Sequence, residues 1–276
     1  MNRVQGKVAF ITGAARGQGR SHALRLAEEG AGIVALDIGA QIGSVRYDMP
    51  GKSQLEETVE LVRSAGGHAI AVEADVRDLS AMEQAVKEAV AEFGRLDIVC
   101  ANAGILSTAN IVDMSPDQWR DSVDVNLTGV WNTIRATAPQ LIKQGEGGSM
   151  ILTNSVAGMR AGPHNSAYVA TKHGVMGLMR SAAVELGPYS IRVNCVHPTS
   201  CATEMVQNDV MSKMLRPDLE NPTVEDTIPK RQAAHLLPIP WIQPVDISNA
   251  ILWLASDEAR YVTGSSVFVD AGATIK

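Results

Sequence analysis

A doubly wound α/β domain on a parallel sheet is the fold this sequence predicts, and three observations predict it. Short apolar runs alternate with amphipathic helical patterns about seven times, the rhythm of a parallel sheet covered by helices on both faces. The first such unit places a strand, a glycine-rich turn, a helix and a second strand within about 30 residues, which is a βαβ unit. No interior linker and no repeat of shared motifs divides the 276 residues, so one domain over 1–276 is expected, a size that α/β folds reach as single domains.

The elements follow in order. Lys7 to Thr12 (KVAFIT) is a short apolar run and reads as a buried strand. GAARGQG, Gly13 to Gly19, then opens a helix whose stripe includes Leu24, Leu26 and Ala27 and which stops at Gly30. The second strand, Gly32 to Leu36, ends in Asp37. Residues 38–52 show neither helical nor strand period and are rich in turn formers, a long connection where a few residues would suffice. Ser53 with Glu56 predicts a capping box for the next helix, with Leu55, Val59 and Val62 as its apolar stripe. Strand three is Ala69 to Glu73. Ser80 with Glu83 predicts the next cap, before the stripe Met82, Val86, Val90 and Phe93.

Strand four, Asp97 to Ala101, runs into Asn102-Ala103-Gly104. Ser115, Pro116 and Gln118 form a capping box with proline at the first helical position; the helix they open reaches about Lys143, with an interruption near Asn126. Strand five is Ser149 to Thr153. A helix from about Ser166 to Leu186 carries Tyr168 and stops at Gly187-Pro188. Strand six is Ile191 to Val196. A proline-rich segment, 199–244, follows without a strand pattern, then a helix from Asp246 to Ala255 and a last strand from Ser266 to Asp270.

Composition narrows the function. Hydrophobic residues make up 45% and charged residues 20%, enough apolar surface for a large core. A net charge of −6 and a pI near 5.5 argue against nucleic acid or an anionic membrane as partner. No apolar run approaches the roughly 18 residues of a membrane helix, and no secretory leader is visible at the start, so a cytoplasmic location is expected. The three cysteines, Cys100, Cys195 and Cys201, form no CxxC motif, and the two in strand-like runs read as buried inert thiols. The six histidines show no HExxH or similar spacing, so no metal site is expected.

The chemistry gathers at strand ends. The turn Gly13-x-x-x-Gly17-x-Gly19 departs from the G-x-G-x-x-G spacing but meets the same need: a tight turn, backbone amides near a pyrophosphate and a helix N-terminus facing negative charge. Arg16 and Gln18 lie within it. Asp37 ends the second strand, where a carboxylate accepts hydrogen bonds from an adenosine ribose and repels a 2′-phosphate. Arg16 could attract such a phosphate, but Ile38 offers no second basic group, which favours NAD over NADP. Asp75-Val76 and Asn102-Ala103-Gly104 follow strands three and four, at the edge of an open sheet where ligands bind. Tyr168 and Lys172 stand four apart and share a helix face, with the Ser155 hydroxyl just past strand five. An ammonium beside a phenol favours the phenolate, and a shift of two or three pH units takes roughly 3–4 kcal/mol. Tyr168 could then take an alcohol's proton while Ser155 holds the substrate oxygen. By itself the pair reads more readily as an incidental Tyr/Lys pair on a surface helix.

TGAARGQG, Asp37, NAG, Asn126, Ser155 and Tyr168-x-x-x-Lys172, in this order and spacing, resemble the short-chain dehydrogenase/reductase family over nearly the whole chain. The resemblance implies a Rossmann fold with a seven-stranded parallel sheet and a homotetramer. It implies Tyr168 as acid/base, Ser155 as substrate anchor, Lys172 as binder of the nicotinamide ribose, Asn126 as holder of a relay water, and Asp75 and Val76 at the adenine. Thr203 falls where the family binds the carboxamide, with Cys201 at a backbone contact. Pro198-Thr199 replaces the usual Pro-Gly, which puts Thr199 beside the substrate. Residues 16–22 (RGQGRSH), the insertion at 38–52 and HPTSCATEM at 197–205 resemble one subgroup, the mycofactocin-coupled dehydrogenases that include carveol dehydrogenases. That likeness implies NAD held without free exchange and a mycofactocin-type electron carrier as partner.

Met205, Met211, Met214 and Leu215 are expected to form an apolar lid helix over a pocket with few charges, suited to an apolar alicyclic alcohol or its ketone, terpenoid- or steroid-like; ordinary core packing explains them equally well. His164 reads as a loop histidine at the surface. Two alternatives stand beside a held-cofactor dehydrogenase: a carbonyl reductase exchanging free NADH, and a non-catalytic NAD sensor, against which the intact Ser155, Tyr168 and Lys172 speak.

Overall fold

The computed structural model describes residues 2–276. Seven strands form one parallel sheet: β1 (Val8–Thr12), β2 (Gly32–Asp37), β3 (Ala69–Glu73), β4 (Ile98–Ala101), β5 (Gly148–Thr153), β6 (Ile191–Pro198) and β7 (Ser266–Val269). Their order in space is β3-β2-β1-β4-β5-β6-β7. The strand order reverses between β1 and β4, and a crevice opens there beyond the carboxyl ends of the strands.

Helices cover both faces: α1 (Gly17–Ala27), α2 (Lys52–Ser64), α3 (Leu79–Phe93), α4 (Pro116–Val123), α5 (Gly129–Gln144), α6 (Ser166–Leu186), α7 (Asp209–Leu215), α8 (Ile228–Ala233) and α9 (Pro244–Ala255). The pleat sends alternate side chains to opposite cores. Phe10, Leu36, Val99, Met150 and Val193 pack under α3, α5 and α6. Ile11, Ile33, Ile98, Ile151 and Val196 pack under α1, α2 and α9. Buried on both faces, the strands read as continuous apolar runs rather than alternating ones.

Two predicted caps are corrected. Helix α2 begins at Lys52, and Gln54 Oε1 accepts from the Gly51 N–H at 3.2 Å; Ser53 is already inside the helix. Helix α3 is capped by Asp78, whose carboxylate accepts from the Ser80 and Ala81 amides at 2.9 and 3.2 Å. A carboxylate outdoes a hydroxyl here because it also answers the helix dipole. The Ser115 cap is as expected, with reciprocal bonds between Ser115 and Gln118 of 3.0 and 3.2 Å. The interruption near Asn126 is one wide turn of π-helix, Asp124–Thr128, between α4 and α5. Strand boundaries shift by a residue or two. Asp97 stands just before β4, its carboxylate accepting from the Val8 N–H at 2.9 Å and from the Arg95 guanidinium.

His22, from the RGQGRSH run, is fully buried between α1 and α9, its Nδ1 2.8 Å from Ser248 Oγ. Burial pushes its pKa down to about 3, so it is a neutral brace between helices. Cys100 and Cys195 are buried thiols in strands, each pushed up to about 12. Among the described residues no helix is long and apolar enough to cross a membrane.

Candidate active site

The glycine turn forms the floor of the crevice. Gly13 has φ +68°, and a Cβ there would lie 2.8 Å from Ala103 Cα. At Gly19 a Cβ would lie 2.1 Å from the Gly13 carbonyl oxygen. Both positions therefore exclude a side chain, which leaves the backbone of the turn bare at the crevice. The Gln18 Oε1 is buried without a partner at this surface.

Thr12, which sequence reasoning passed over as the last strand residue, fixes the neighbouring loop. Its Oγ1 accepts from the Asn102 and Ala103 amides, both at 3.0 Å. The Asn102 side chain donates to the Thr12 carbonyl at 3.0 Å and accepts from Thr153 Oγ1 at 3.3 Å. The ends of β1, β4 and β5 are thus clamped together by one threonine and one asparagine. Asp37 is buried at the end of β2, and its Oδ2 accepts from the Ala15 N–H at 3.0 Å. Burial raises its pKa, against the pull of backbone amides and Arg16. Asp75 is engaged by Arg77 at 2.7 Å; Val76 lines the crevice beside it.

Ser155, Tyr168 and Lys172 meet at the next strand end. Ser155 continues β5 in extended conformation, and its Oγ accepts from the Ala157 N–H at 3.1 Å. Lys172 is 3% exposed, and its ammonium donates to the Thr153 carbonyl at 2.7 Å and lies 5.4 Å from the Tyr168 ring centroid. Asn154, a residue without a sequence signal, locks this arrangement: its side chain donates to the Lys172 carbonyl at 3.0 Å and accepts from the Ser155 N–H at 2.9 Å. The buried His197 bonds the Ser155 carbonyl at 2.9 Å from the other side.

The electrostatics correct one expectation. Burial raises the Tyr168 phenol rather than leaving it lowered by its neighbour, and the Ser155 hydroxyl draws it back only in part. The same burial pushes Lys172 down to about 8. Desolvation disfavours the charged form of each group, and it is the largest influence on both. Asn126 stands behind the wall: its side chain exchanges two hydrogen bonds with the Ile105 backbone, at 2.8 and 2.9 Å.

Two loops cover the crevice. In the insertion, Gln41 donates to the Val45 carbonyl at 3.0 Å and accepts from the Met49 N–H at 2.9 Å, while Ile42 and Val45 are buried. Its Tyr47, a residue not anticipated at the site, lines the crevice, and its hydroxyl accepts from the Leu106 N–H at 3.3 Å. Burial pushes Tyr47 up to about 12, with the proximity of Tyr168 adding to it. Arg16 ties the loops together, donating to the Asp48 carbonyl and lying 3.9 Å from Glu204.

Within 199–244, Thr203 packs on Gly17 and its N–H donates to the Cys201 carbonyl at 2.8 Å. Thr199 reaches the wall, but its hydroxyl donates to His235 Nε2 at 2.8 Å, since His235 Nδ1 faces the Ile239 carbonyl at 2.7 Å. Helix α7 carries Met211, Met214 and Leu215; Met205 precedes it, and only Met205 and Met211 line the crevice. Arg160 and Arg231 also line it, so the expectation of few charges there is not met. His164 lies in an exposed loop with φ +65°. Of the anticipated site residues, all but Asn126 face this one crevice, Ile38, Ala103 and Gly104 included.

Residues 13–274 match the family described as enoyl-(acyl carrier protein) reductase. The chain is 48% identical over 277 residues to the (−)-trans-carveol dehydrogenase of Rhodococcus erythropolis, with 100% of each covered. The crystal structure of carveol dehydrogenase from Mycobacterium avium in complex with NAD superimposes with a TM-score of 0.98 at 51% identity, covering 100% of both chains. That of a short chain dehydrogenase from Mycobacterium paratuberculosis bound to NAD gives 0.90 at 43% identity, covering 99% of this chain and 100% of the other.

Proposed function

Since the chain belongs to the short-chain dehydrogenase/reductase family, we propose that it is an NAD-dependent oxidoreductase interconverting a secondary alcohol and its ketone, with an alicyclic, terpenoid- or steroid-like substrate. One observation carries this reading: Ser155, Tyr168 and Lys172 share a crevice with a glycine turn that admits no side chain. The cofactor would be held by Gly13, Gly17 and Gly19 at its diphosphate, Asp37 and Val76 at the adenosine, Asn102 to Gly104 and Lys172 at the nicotinamide ribose, and Thr203 at the carboxamide. The orphaned Gln18 oxygen fits a donor from such a ligand. When bound, NAD supplies the hydride acceptor.

The protein's own part is the proton. Ser155 holds the substrate oxygen through its hydroxyl, and Tyr168 removes the alcohol's proton in oxidation and returns it in reduction. Because burial raises the Tyr168 phenol, the base form depends on the ammonium of Lys172, held by the Thr153 carbonyl. The Asn126 amide is spent on Ile105, so a relay water would rest on its backbone oxygen. Tyr168→Phe should lower oxidation by 10²- to 10⁴-fold, the usual worth of a positioned acid/base, with NAD affinity retained. Undiminished oxidation by that variant would remove Tyr168 from the mechanism.

The cover of insertion and 199–244 segment, joined through Arg16, supports a cofactor that leaves slowly and electrons that pass to a mycofactocin-type carrier. Native mass spectrometry of the purified protein should find NAD retained; a cofactor lost on dilution would favour free exchange. Exposed Trp119 and Trp131 on α4 and α5, and Phe268 at the β7 edge, support a homotetramer.

A further inference from the structure

Arg231 is a buried cation without an ion-pair partner among the described residues. It lies on α8, is 4% exposed, and lines the crevice. Its Nε donates to Thr227 Oγ1 at 2.8 Å and its Nη2 to the Val206 carbonyl at 2.9 Å. Nη1 has no hydrogen-bond partner among the described residues and is not among the polar atoms sealed from the surface, on a residue that lines the crevice. Burial alone draws down its pKa, with no carboxylate near enough to oppose it. Arg160, on the wall after β5, is engaged elsewhere: its side chain donates to the Ala273 carbonyl, and its charge helps to lower the pKa of Asp270.

An uncompensated buried charge costs several kcal/mol. The two bonds to Thr227 and Val206 could be made by a neutral amide, so bracing the loop does not account for a guanidinium. Of the acidic groups that line the crevice, Asp37 and Asp75 close β2 and β3, and Glu204 lies 3.9 Å from Arg16; none forms an ion pair with Arg231 among the described residues. A fixed, planar cation open on one edge is a receptor for a carboxylate or a similar anionic oxygen group. The cofactor diphosphate carries such oxygens too, but the glycine turn and the α1 N-terminus already answer it.

Resting on the dehydrogenase reading above, we propose that the alcohol substrate carries an anionic group, a carboxylate in the simplest case, at the end of its alicyclic body, and that Arg231 receives it. Met205, Val206 and Met211 contact the hydrocarbon between. The pocket thus selects an amphipathic acid rather than a neutral terpenoid.

The test uses the NAD-loaded protein and 4-hydroxycyclohexane-carboxylate, -acetate and -propanoate, each beside its methyl ester. The expected result is at least one acid oxidised with kcat/KM tenfold or more above its ester. Arg231→Gln should cancel that preference by raising KM for the acid, leave the esters within about threefold, and leave the NAD dissociation constant unchanged. Arg231→Lys should restore part of the preference, which a purely structural arginine would not show. Esters oxidised as well as every acid by the unaltered protein overturn the subsite and leave the dehydrogenase standing. Loss of NAD affinity in Arg231→Gln overturns it also, by assigning the guanidinium to the cofactor. Acids that raise the melting temperature through Arg231 without being oxidised uphold the subsite and break the dehydrogenase reading.

Discussion

The floor of the crevice and its cover are built on different physics. The floor consists of strand ends and the turns that follow them, held by contacts between backbone and short side chains: Thr12 on Asn102, Asp37 on Ala15, Asn154 on Ser155. The cover consists of 38–52 and 199–244, held by long side chains that reach across loops: Gln41 to Met49, Arg16 to Asp48, Arg231 to Val206. A floor of this kind has no slack, because its atoms are already at contact. A cover of long side chains can give, and can be rebuilt for another ligand without disturbing the sheet. The difference predicts that floor substitutions abolish binding or chemistry, while cover substitutions tune affinity, exchange and choice of substrate.

The largest effect should come from Gly19→Ala. Its Cβ would lie 2.1 Å from the Gly13 carbonyl oxygen, and no flexible side chain is there to move aside. The turn must open, and the amides that would meet the diphosphate in the proposed cofactor site open with it. NAD binding by calorimetry should weaken at least a hundredfold, about 3 kcal/mol. A dissociation constant close to that of the unaltered protein would mean the floor has slack after all, and the contrast with the cover would fail.

The next effect belongs to Lys172 and appears as pH dependence. Its pKa is about 8 in the folded protein against the ordinary 10.5. Below pH 8 the folded state bears the whole cost of keeping this charge buried, about 3 kcal/mol. Between pH 8 and 10.5 the unfolded chain binds more protons than the folded one, so stability rises with pH. Urea unfolding of the unaltered protein and of Lys172→Met should therefore differ by an amount that moves in favour of the lysine across that window. A gap that stays flat would show that the Thr153 carbonyl and the surrounding dipoles already offset the desolvation.

The same contrast explains what could be read from the chain. The floor was legible because each part has a short-range signature: an apolar run, glycines at fixed spacing, Tyr168 and Lys172 one helical turn apart. Where reading went wrong there, a stronger local competitor was adjacent, as with Asp78 displacing Ser80 at the α3 cap. The cover was legible only as two segments without a period. Nothing near Arg231 in sequence indicates that Val206 is its partner, and Thr199 gives no hint of His235, 36 residues on. Tyr47 sits 59 residues from the Leu106 amide it accepts from. Pairings of this length carry no periodic signal, so the charges that line the crevice beneath the cover were out of reach of pattern reading. Asn154 and Thr12 were missed for another reason: each is a single polar residue at a strand end, indistinguishable from an ordinary turn former until the neighbouring strands are in register.

The smallest effect tests the cover through its own phenol. Tyr47 and Tyr168 face one crevice, and both are raised by burial, Tyr47 to about 12. Only Tyr168 has an ammonium 5.4 Å from its ring and the Ser155 hydroxyl beside it. At neutral pH Tyr47 is therefore a fixed neutral phenol whose oxygen accepts from Leu106, a latch between the insertion and the loop after β4. Tyr47→Phe keeps the ring and leaves the Leu106 N–H without its acceptor, a loss of about 1 kcal/mol. If the latch opens before the cofactor leaves, NAD dissociation should quicken about fivefold, while the chemical step in a single turnover stays unchanged. Stopped-flow displacement of NAD and rapid-quench oxidation separate the two. A hundredfold slower chemical step with unaltered release would place Tyr47 among the proton-transfer groups, and the division between a floor that reacts and a cover that retains would no longer hold.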